Sequence, residues 1–172
     1  MKLDDDDFTL FGLPQRMAHQ RSEIDSRWRQ LQAEVHPDRF VAQGGAAQRV
    51  AMQWAVRINQ AQRRLKDPLA RAAYLCELRG AAIDAERNTA MPAAFLVQQM
   101  QWREALDEAH TLNEVQHINT QIAAAEADLL DAVQQLLDDA GDASAAAEKV
   151  RALMFVQRFR RDIETRLEAL ET

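Results

Sequence analysis

The chain is poor in the residues that turn, staple or pair as strands. Its 172 residues include five glycines, four prolines, one tyrosine and one cysteine. A single cysteine excludes an internal disulfide, and Cys76 sits in Tyr74-Leu75-Cys76-Glu77-Leu78, a stretch that reads as buried helix. Runs of β-branched residues are missing, so nothing argues for a sheet. No apolar run is long enough to span a bilayer. The start, Met1-Lys2-Leu3 followed by Asp4 to Asp7, has neither an apolar signal core nor an arginine-rich amphipathic helix. A reducing, cytoplasmic setting is therefore expected. No glycine-rich phosphate loop is present, which excludes a standard nucleotide site. What fills the chain instead is Ala, Gln, Leu, Glu and Arg, all helix formers.

Charge is unevenly spread. The net charge is −6. From Gln15 to Lys66 there are ten Lys/Arg against four Asp/Glu, whereas from Asn88 to Glu148 there is one Arg against eleven Asp/Glu. A basic front and an acidic back suit two surfaces for two kinds of partner, or two solvated faces.

Periodicity predicts an all-α protein. Residues 7–14, Asp7-Phe8-Thr9-Leu10-Phe11-Gly12-Leu13-Pro14, read as a short docked helix ended by Gly12 and Pro14; the aspartates before it either face the helix N-terminus or, more simply, form a solvated run over Asp4 to Asp6. A helix over residues 18–35 carries Ile24, Trp28, Leu31 and Val35 on one face, with Arg21, Arg27 and Arg29 toward solvent. Pro37 stops it. After the Gly44-Gly45 loop, a helix over 46–66 shows Val50 or Ala51, Trp54, Ile58, Ala61 and Leu65, and a shorter one covers 69–78. Helices over 93–110, 112–139 and 144–170, joined by short turns, predict an antiparallel three-helix bundle. In the first of these Phe95, Leu96, Met100 and Leu106 recur at helical spacing, and Trp102 is expected half exposed. The predicted organisation is a first domain over 1–80, a linker over 81–92 and the bundle over 93–172.

The informative motif is His36-Pro37-Asp38, between a basic amphipathic helix and its partner helix. Proline stops the helix, so its neighbours are held outward. Asp38 offers a carboxylate for charge-assisted bonds to a partner's arginine, and the arginines beside it steer an acidic partner. A tripeptide alone is weak; the plain reading is a helix end closed by proline, with histidine near the negative end of the dipole. Its conjunction with the Phe/Leu-rich start, the basic helix and the glycine loop is more specific.

The stretches Phe8-Thr9-Leu10-Phe11-Gly12-Leu13-Pro14, His36-Pro37-Asp38-Arg39-Phe40, Ile58-Asn59-Gln60-Ala61, Asp67-Pro68-Leu69 and Arg71-Ala72-Ala73-Tyr74-Leu75 resemble the J domain of HscB-type co-chaperones. Ala94-Phe95-Leu96 through Arg103-Glu104-Ala105-Leu106-Asp107-Glu108 resembles the first helix of that family's C-terminal bundle. The resemblance implies a J domain that stimulates ATP hydrolysis by a DnaK-type chaperone, HscA, through His36, Pro37, Asp38, Arg27, Arg29 and Arg39. It also implies a bundle that binds the iron–sulfur scaffold IscU through Leu96, Val97, Met100, Gln101, Glu104, Glu108 and Phe155. Val97 stands where the family pattern has a longer Met-like side chain, and Gln101 where it has an acid. The cysteine-rich zinc module of some eukaryotic relatives is missing.

Rival readings are weaker. A nucleic-acid-binding helical protein using Arg21, Arg27, Arg29, Arg63 and Arg64 conflicts with the overall acidity. An acid/base enzyme using His36 and Asp38 would lack a water-excluding pocket and a third orienting group. A generic J protein shares the front half and predicts no scaffold binding. His19, His110 and His117 lack partners at metal spacing, so no metal or other cofactor is expected. The chain is expected not to be an enzyme and to act on proteins, with no nucleic acid or membrane as partner.

Overall fold

The computed structural model describes residues 1–85, 87 and 91–172. It is all-α, with no strand among the described residues. Two compact units divide at the Leu75/Cys76 step.

The first unit is built on an antiparallel pair, α2 (Arg21–Val35) and α3 (Gly45–Lys66). Their inner faces place Ile24, Leu31 and Val35 against Ala51, Ile58, Ala61 and Leu65, all buried. Each fully buried Ile or Leu contributes about 1.5–3 kcal/mol. Trp28 and Trp54 are only half-buried. Trp28 Nε1 and Gln32 Nε2 both donate to Asn59 Oδ1, at 2.9 and 2.6 Å, a polar brace across the pair. Ala51, not Val50, faces the core; Val50 is exposed.

The short helix α1 (Asp7–Phe11) buries Phe8 and Phe11 completely. Gly12 ends it at φ 64°, and a Cβ there would lie 3.1 Å from Arg27 Nη2, so the position favours glycine twice over. Of the two readings of the leading aspartates, the one that sets them at a helix N-terminus holds for Asp6, and the solvated run does not extend to it. The Asp6 carboxylate caps α1, accepting from the Phe8 and Thr9 amides at 3.0 and 3.1 Å. Partial burial opposes ionisation there, but hydrogen bonds from Thr9, Gln15 and Phe8 hold the carboxyl below its ordinary value. Asp7 is fully buried and ion-paired with Arg57 at 2.7 Å and Arg64 at 3.3 Å. Its amide donates to the Tyr74 hydroxyl at 3.0 Å, and the Tyr74 ring stacks on Phe8. Tyr74 belongs to α4 (Pro68–Leu78), which opens on a proline suited to a first helical turn.

The second unit is a helical bundle of α5 (Ala93–Glu108), α6 (Leu112–Gln134) and α7 (Ala143–Glu171). Val115, Ile118 and Ile122 of α6 share a core with Val156, Phe159 and Ile163 of α7 and with Trp102 and Leu106 of α5. α5 meets α7 largely through aromatic rings: Phe95 packs edge-on against Phe155, and Trp102 stacks on Phe159. Trp102 is thus buried, at 8 % exposure, contrary to its expected half-exposed position, because α7 offers a ring to cover it. A capping box opens α6: the Glu114 carboxylate accepts from the His110 and Thr111 amides at 2.8 and 3.0 Å, and Thr111 Oγ1 accepts from the Glu114 amide. The helix predicted to run to 139 ends in a π-helical turn over Gln135–Asp139, where Arg79 donates to the Leu137 carbonyl. Arg151, itself buried, donates to the Ile83 carbonyl at 3.1 Å. These bonds fasten residues just after α4 to the bundle. Within the predicted linker over 81–92, Glu86 and Asn88 to Ala90 lie outside the described residues.

Candidate protein-docking sites

In the first unit, α2 ends because proline follows it. His36 adopts φ −57° and ψ 127°, the extended backbone required before proline, and Pro37 then opens a 3-10 helix over Pro37–Gln43. The segment is therefore not an open loop but a tight turn with no buried residue. The Asp38 amide donates to His36 Nδ1 at 3.3 Å, and an Asp38 oxygen lies 3.6 Å from the same nitrogen. Both side chains remain open to solvent, 57 % for His36 and 87 % for Asp38. The turn fixes direction without enclosing anything, so the two groups can be touched by a partner but cannot exclude water around a reaction.

The three arginines named for this surface have different fates. Arg29 is exposed. Arg39 is exposed too, but its Nη1 donates to the Ala33 carbonyl at 3.0 Å, closing the last turn of α2. Arg27 does not point freely to solvent. Its Nε donates to the Phe11 carbonyl at 2.7 Å and its Nη1 to Gln30 at 2.7 Å, because the C-terminal end of α1 comes to rest beside this turn of α2. Arg27 is a clamp between α1 and α2. Periodicity put it on the outer side of α2 and could not register that α1 covers it there. Asn59, the brace residue, stands in the Ile58-Asn59-Gln60-Ala61 stretch of the resemblance, but nothing in the local pattern marks its side chain as a brace between α2 and α3.

In the second unit, the apolar residues of α5 separate onto two sides. Phe95, Trp102 and Leu106 face the bundle. Leu96, Val97 and Met100 face solvent, at 45, 54 and 70 % exposure. Gln101, Glu104 and Glu108 are exposed along the same outward side. Contiguous exposed aliphatic side chains rimmed by carboxylates suit helix-face docking of another protein. Phe155 does not join them at the surface. It is 5 % exposed, stacked on Phe159 and against Phe95, with the Arg103 guanidinium 5.4 Å over its ring. It belongs to the aromatic core between α5 and α7 rather than to the exposed face.

No cluster of three or more metal-ligating side chains occurs among the described residues. Cys76 is buried, and burial pushes its thiol up to about 11, which suits a packing role rather than a nucleophilic one. No helix among the described residues is long and apolar enough to cross a membrane.

Known proteins match this arrangement over the whole chain. The family described as the HSCB C-terminal oligomerisation domain matches residues 91–164. The chain is 45 % identical to a protein of Burkholderia cenocepacia named co-chaperone protein HscB homolog, over all of this chain and 99 % of that one. It is 46 % identical to the protein of the same name from Paraburkholderia xenovorans, over 98 % of each. Among solved structures, chaperone HscB from Vibrio cholerae superposes with a TM-score of 0.80 at 30 % identity, covering 96 % of this chain and 99 % of that one. Human co-chaperone protein HscB shares the fold at a TM-score of 0.89 and 23 % identity, over 96 % of this chain and 84 % of that one.

Proposed function

From the premise that this chain belongs to the HscB co-chaperone family, we propose that it couples two protein partners in iron–sulfur protein maturation. Its residues 1–80 serve as a J domain that stimulates ATP hydrolysis by a DnaK-type chaperone of the HscA kind. Residues 81–92 link this domain to the bundle over 93–172, which binds the iron–sulfur scaffold IscU and brings it to that chaperone. The protein supplies no catalytic group; hydrolysis takes place in the chaperone's own site. It works in the cytoplasm, on proteins rather than on nucleic acid or membrane.

The observation that carries this reading is the pre-proline turn that leaves His36 and Asp38 exposed at the end of a basic helix. Asp38 is the acceptor for a partner arginine, His36 supports it from two residues before, and Pro37 fixes the angle between them. Arg29 supplies free positive charge for steering. Arg39 holds the end of α2 and Arg27 holds α1 in place, so both support the turn's frame. On the bundle, Leu96, Val97 and Met100 are the apolar contacts for the scaffold. Gln101, Glu104 and Glu108 form the polar rim, and Phe155 holds α5 to α7 through Phe95.

The test is the steady-state ATPase rate of an HscA-type chaperone with this protein added and IscU titrated in. Synergistic stimulation, lost on His36→Gln or Asp38→Asn, is the expected result. Stimulation that ignores IscU would leave a generic J protein; no stimulation of any DnaK-type chaperone would overturn the whole reading.

A further inference from the structure

Across the α2–α3 pair, Trp28, Asn59 and Gln32 fix one another's orientation in sequence. The Trp28 indole N–H can only donate. It lies 2.9 Å from Asn59 Oδ1, so the oxygen of that amide, not its nitrogen, faces the ring. The same oxygen lies 2.6 Å from the Gln32 amide, which must therefore turn its Nε2 toward α3. Gln32 Nε2 also donates to the Ala55 carbonyl at 3.5 Å. With the nitrogen committed to α3, the Gln32 Oε1 is turned the other way. That oxygen accepts no hydrogen bond among the described residues, and it is not buried. Gln32 stands three residues after Arg29 and four before His36, one helical turn from each, so the three share one side of α2. Arg29 is exposed, and the His36 side chain is 57 % exposed. An unused acceptor thus sits between two groups already read as facing the chaperone.

We propose that Gln32 is a further chaperone-contact residue, its Oε1 accepting a hydrogen bond from the DnaK-type partner, and that Asn59 is the positioning residue that aims it. A glutamine free on a helix surface samples several rotamers and both amide orientations, and loses that freedom on binding. Here Asn59 removes it beforehand, so the acceptor is preorganised. The direction of the relay is set by Trp28, because an indole cannot exchange donor for acceptor as an amide can. The partner group is a hydrogen-bond donor; an acceptor placed against Oε1 would leave both oxygens desolvated and unpaired. The inference rests on the reading of the His36–Asp38 turn as the chaperone-docking end of α2 and extends that surface one turn back along the helix.

The experiment titrates the full chain against an HscA-type chaperone and separates the half-saturating concentration for ATPase stimulation from the maximal rate. Wild type is compared with Gln32→Met, Asn59→Ala, Asn59→Asp and Asp38→Asn, each with a thermal melt and assayed well below its melting temperature. Gln32→Met keeps the side-chain length and removes the acceptor. Asn59→Ala keeps the acceptor but frees it, and Asn59→Asp retains an oxygen for both Trp28 and Gln32. A half-saturating concentration about three- to tenfold higher is expected in Gln32→Met, the loss of one hydrogen bond. Asn59→Ala should raise it less and Asn59→Asp should restore it, while the maximal rate falls far less than in Asp38→Asn. A brace with no docking role would lower the melting temperatures of Gln32→Met and Asn59→Ala without moving the half-saturating concentration. That result, with wild type stimulating and Asp38→Asn not, overturns the assignment of Gln32 and leaves the co-chaperone reading in place. A shift in Gln32→Met without one in Asn59→Ala supports the contact and overturns the positioning role of Asn59. A wild type that stimulates no DnaK-type chaperone overturns both readings.

Discussion

The His36–Asp38 turn and the outward side of α5 both meet solvent, but for different physical reasons. At the turn, exposure is a local property. Proline ends α2, sets the backbone of the residue before it, and leaves His36 and Asp38 on a tight 3-10 segment with nothing packed over them. On α5, exposure is a remainder. The helix has apolar residues on more than one side, and the bundle takes Phe95, Trp102 and Leu106, leaving Leu96, Val97 and Met100 outside. A motif that is exposed by its own backbone can be found from a few residues. A patch that is exposed because a neighbour used the other side of the helix can be found only once the neighbour is in place.

The comparison can be broken at either end. The largest effect is expected at the turn. Asp38→Asn should reduce chaperone ATPase stimulation about 30-fold or more, by removing one partner of a charge-assisted contact. Thermal stability should not change, since Asp38 is 87 % exposed. A melting temperature that fell together with activity would assign Asp38 a structural role instead. Next comes the contrast between Phe155 and Leu96. Phe155→Ala should cost about 3–5 kcal/mol of bundle stability in denaturant unfolding, because it empties a ring site between Phe95 and Phe159. Leu96→Ala should stay within about 0.5 kcal/mol of wild type while weakening scaffold binding. Equal destabilisation by both would erase the distinction between core and face.

Smaller effects separate the two arginines. Arg27→Ala should destabilise the first unit by about 1–3 kcal/mol, since it strands the Phe11 carbonyl that Arg27 now satisfies. Arg29→Ala should leave stability unchanged and lower only the association rate with the chaperone, more at low salt than at high. Salt-independent loss in Arg29→Ala would contradict a steering role. The smallest effect concerns pH. Hydrogen bonds from the His110 and Thr111 amides hold the Glu114 carboxyl below its ordinary value of 4.5. The native state therefore binds this proton less readily than the unfolded chain. The capping box contributes fully above about pH 4.5 and its contribution fades as pH falls through the lower, folded value. Glu114→Gln should flatten that part of the acid-unfolding curve; an unchanged curve would remove Glu114 from the acid response.

Much of the architecture is legible in the sequence. The apolar spacing of Ile24, Leu31 and Val35, and of Ile58, Ala61 and Leu65, predicts the helix pair, and those residues are its core. Four consecutive aspartates were less legible. Asp6 caps α1 and Asp7 is buried under Arg57 and Arg64, a difference that depends on where α3 passes. Arg27 and Arg29 also look alike in the sequence, yet only Arg27 lies under α1.

By itself the sequence determined where helices start and stop, and so that His36 and Asp38 would flank a proline at a helix end. Dihedral limits and helical period act over a few residues and need no distant partner. The tertiary structure alone decided that Trp102 is covered while Met100 is not, that Phe155 is buried against Phe95 and Phe159, and that Asp107 and Asp162 share a cleft. Those outcomes depend on which ring of α7 meets which side of α5, a contact between residues about 55 to 60 positions apart whose packing no local pattern encodes.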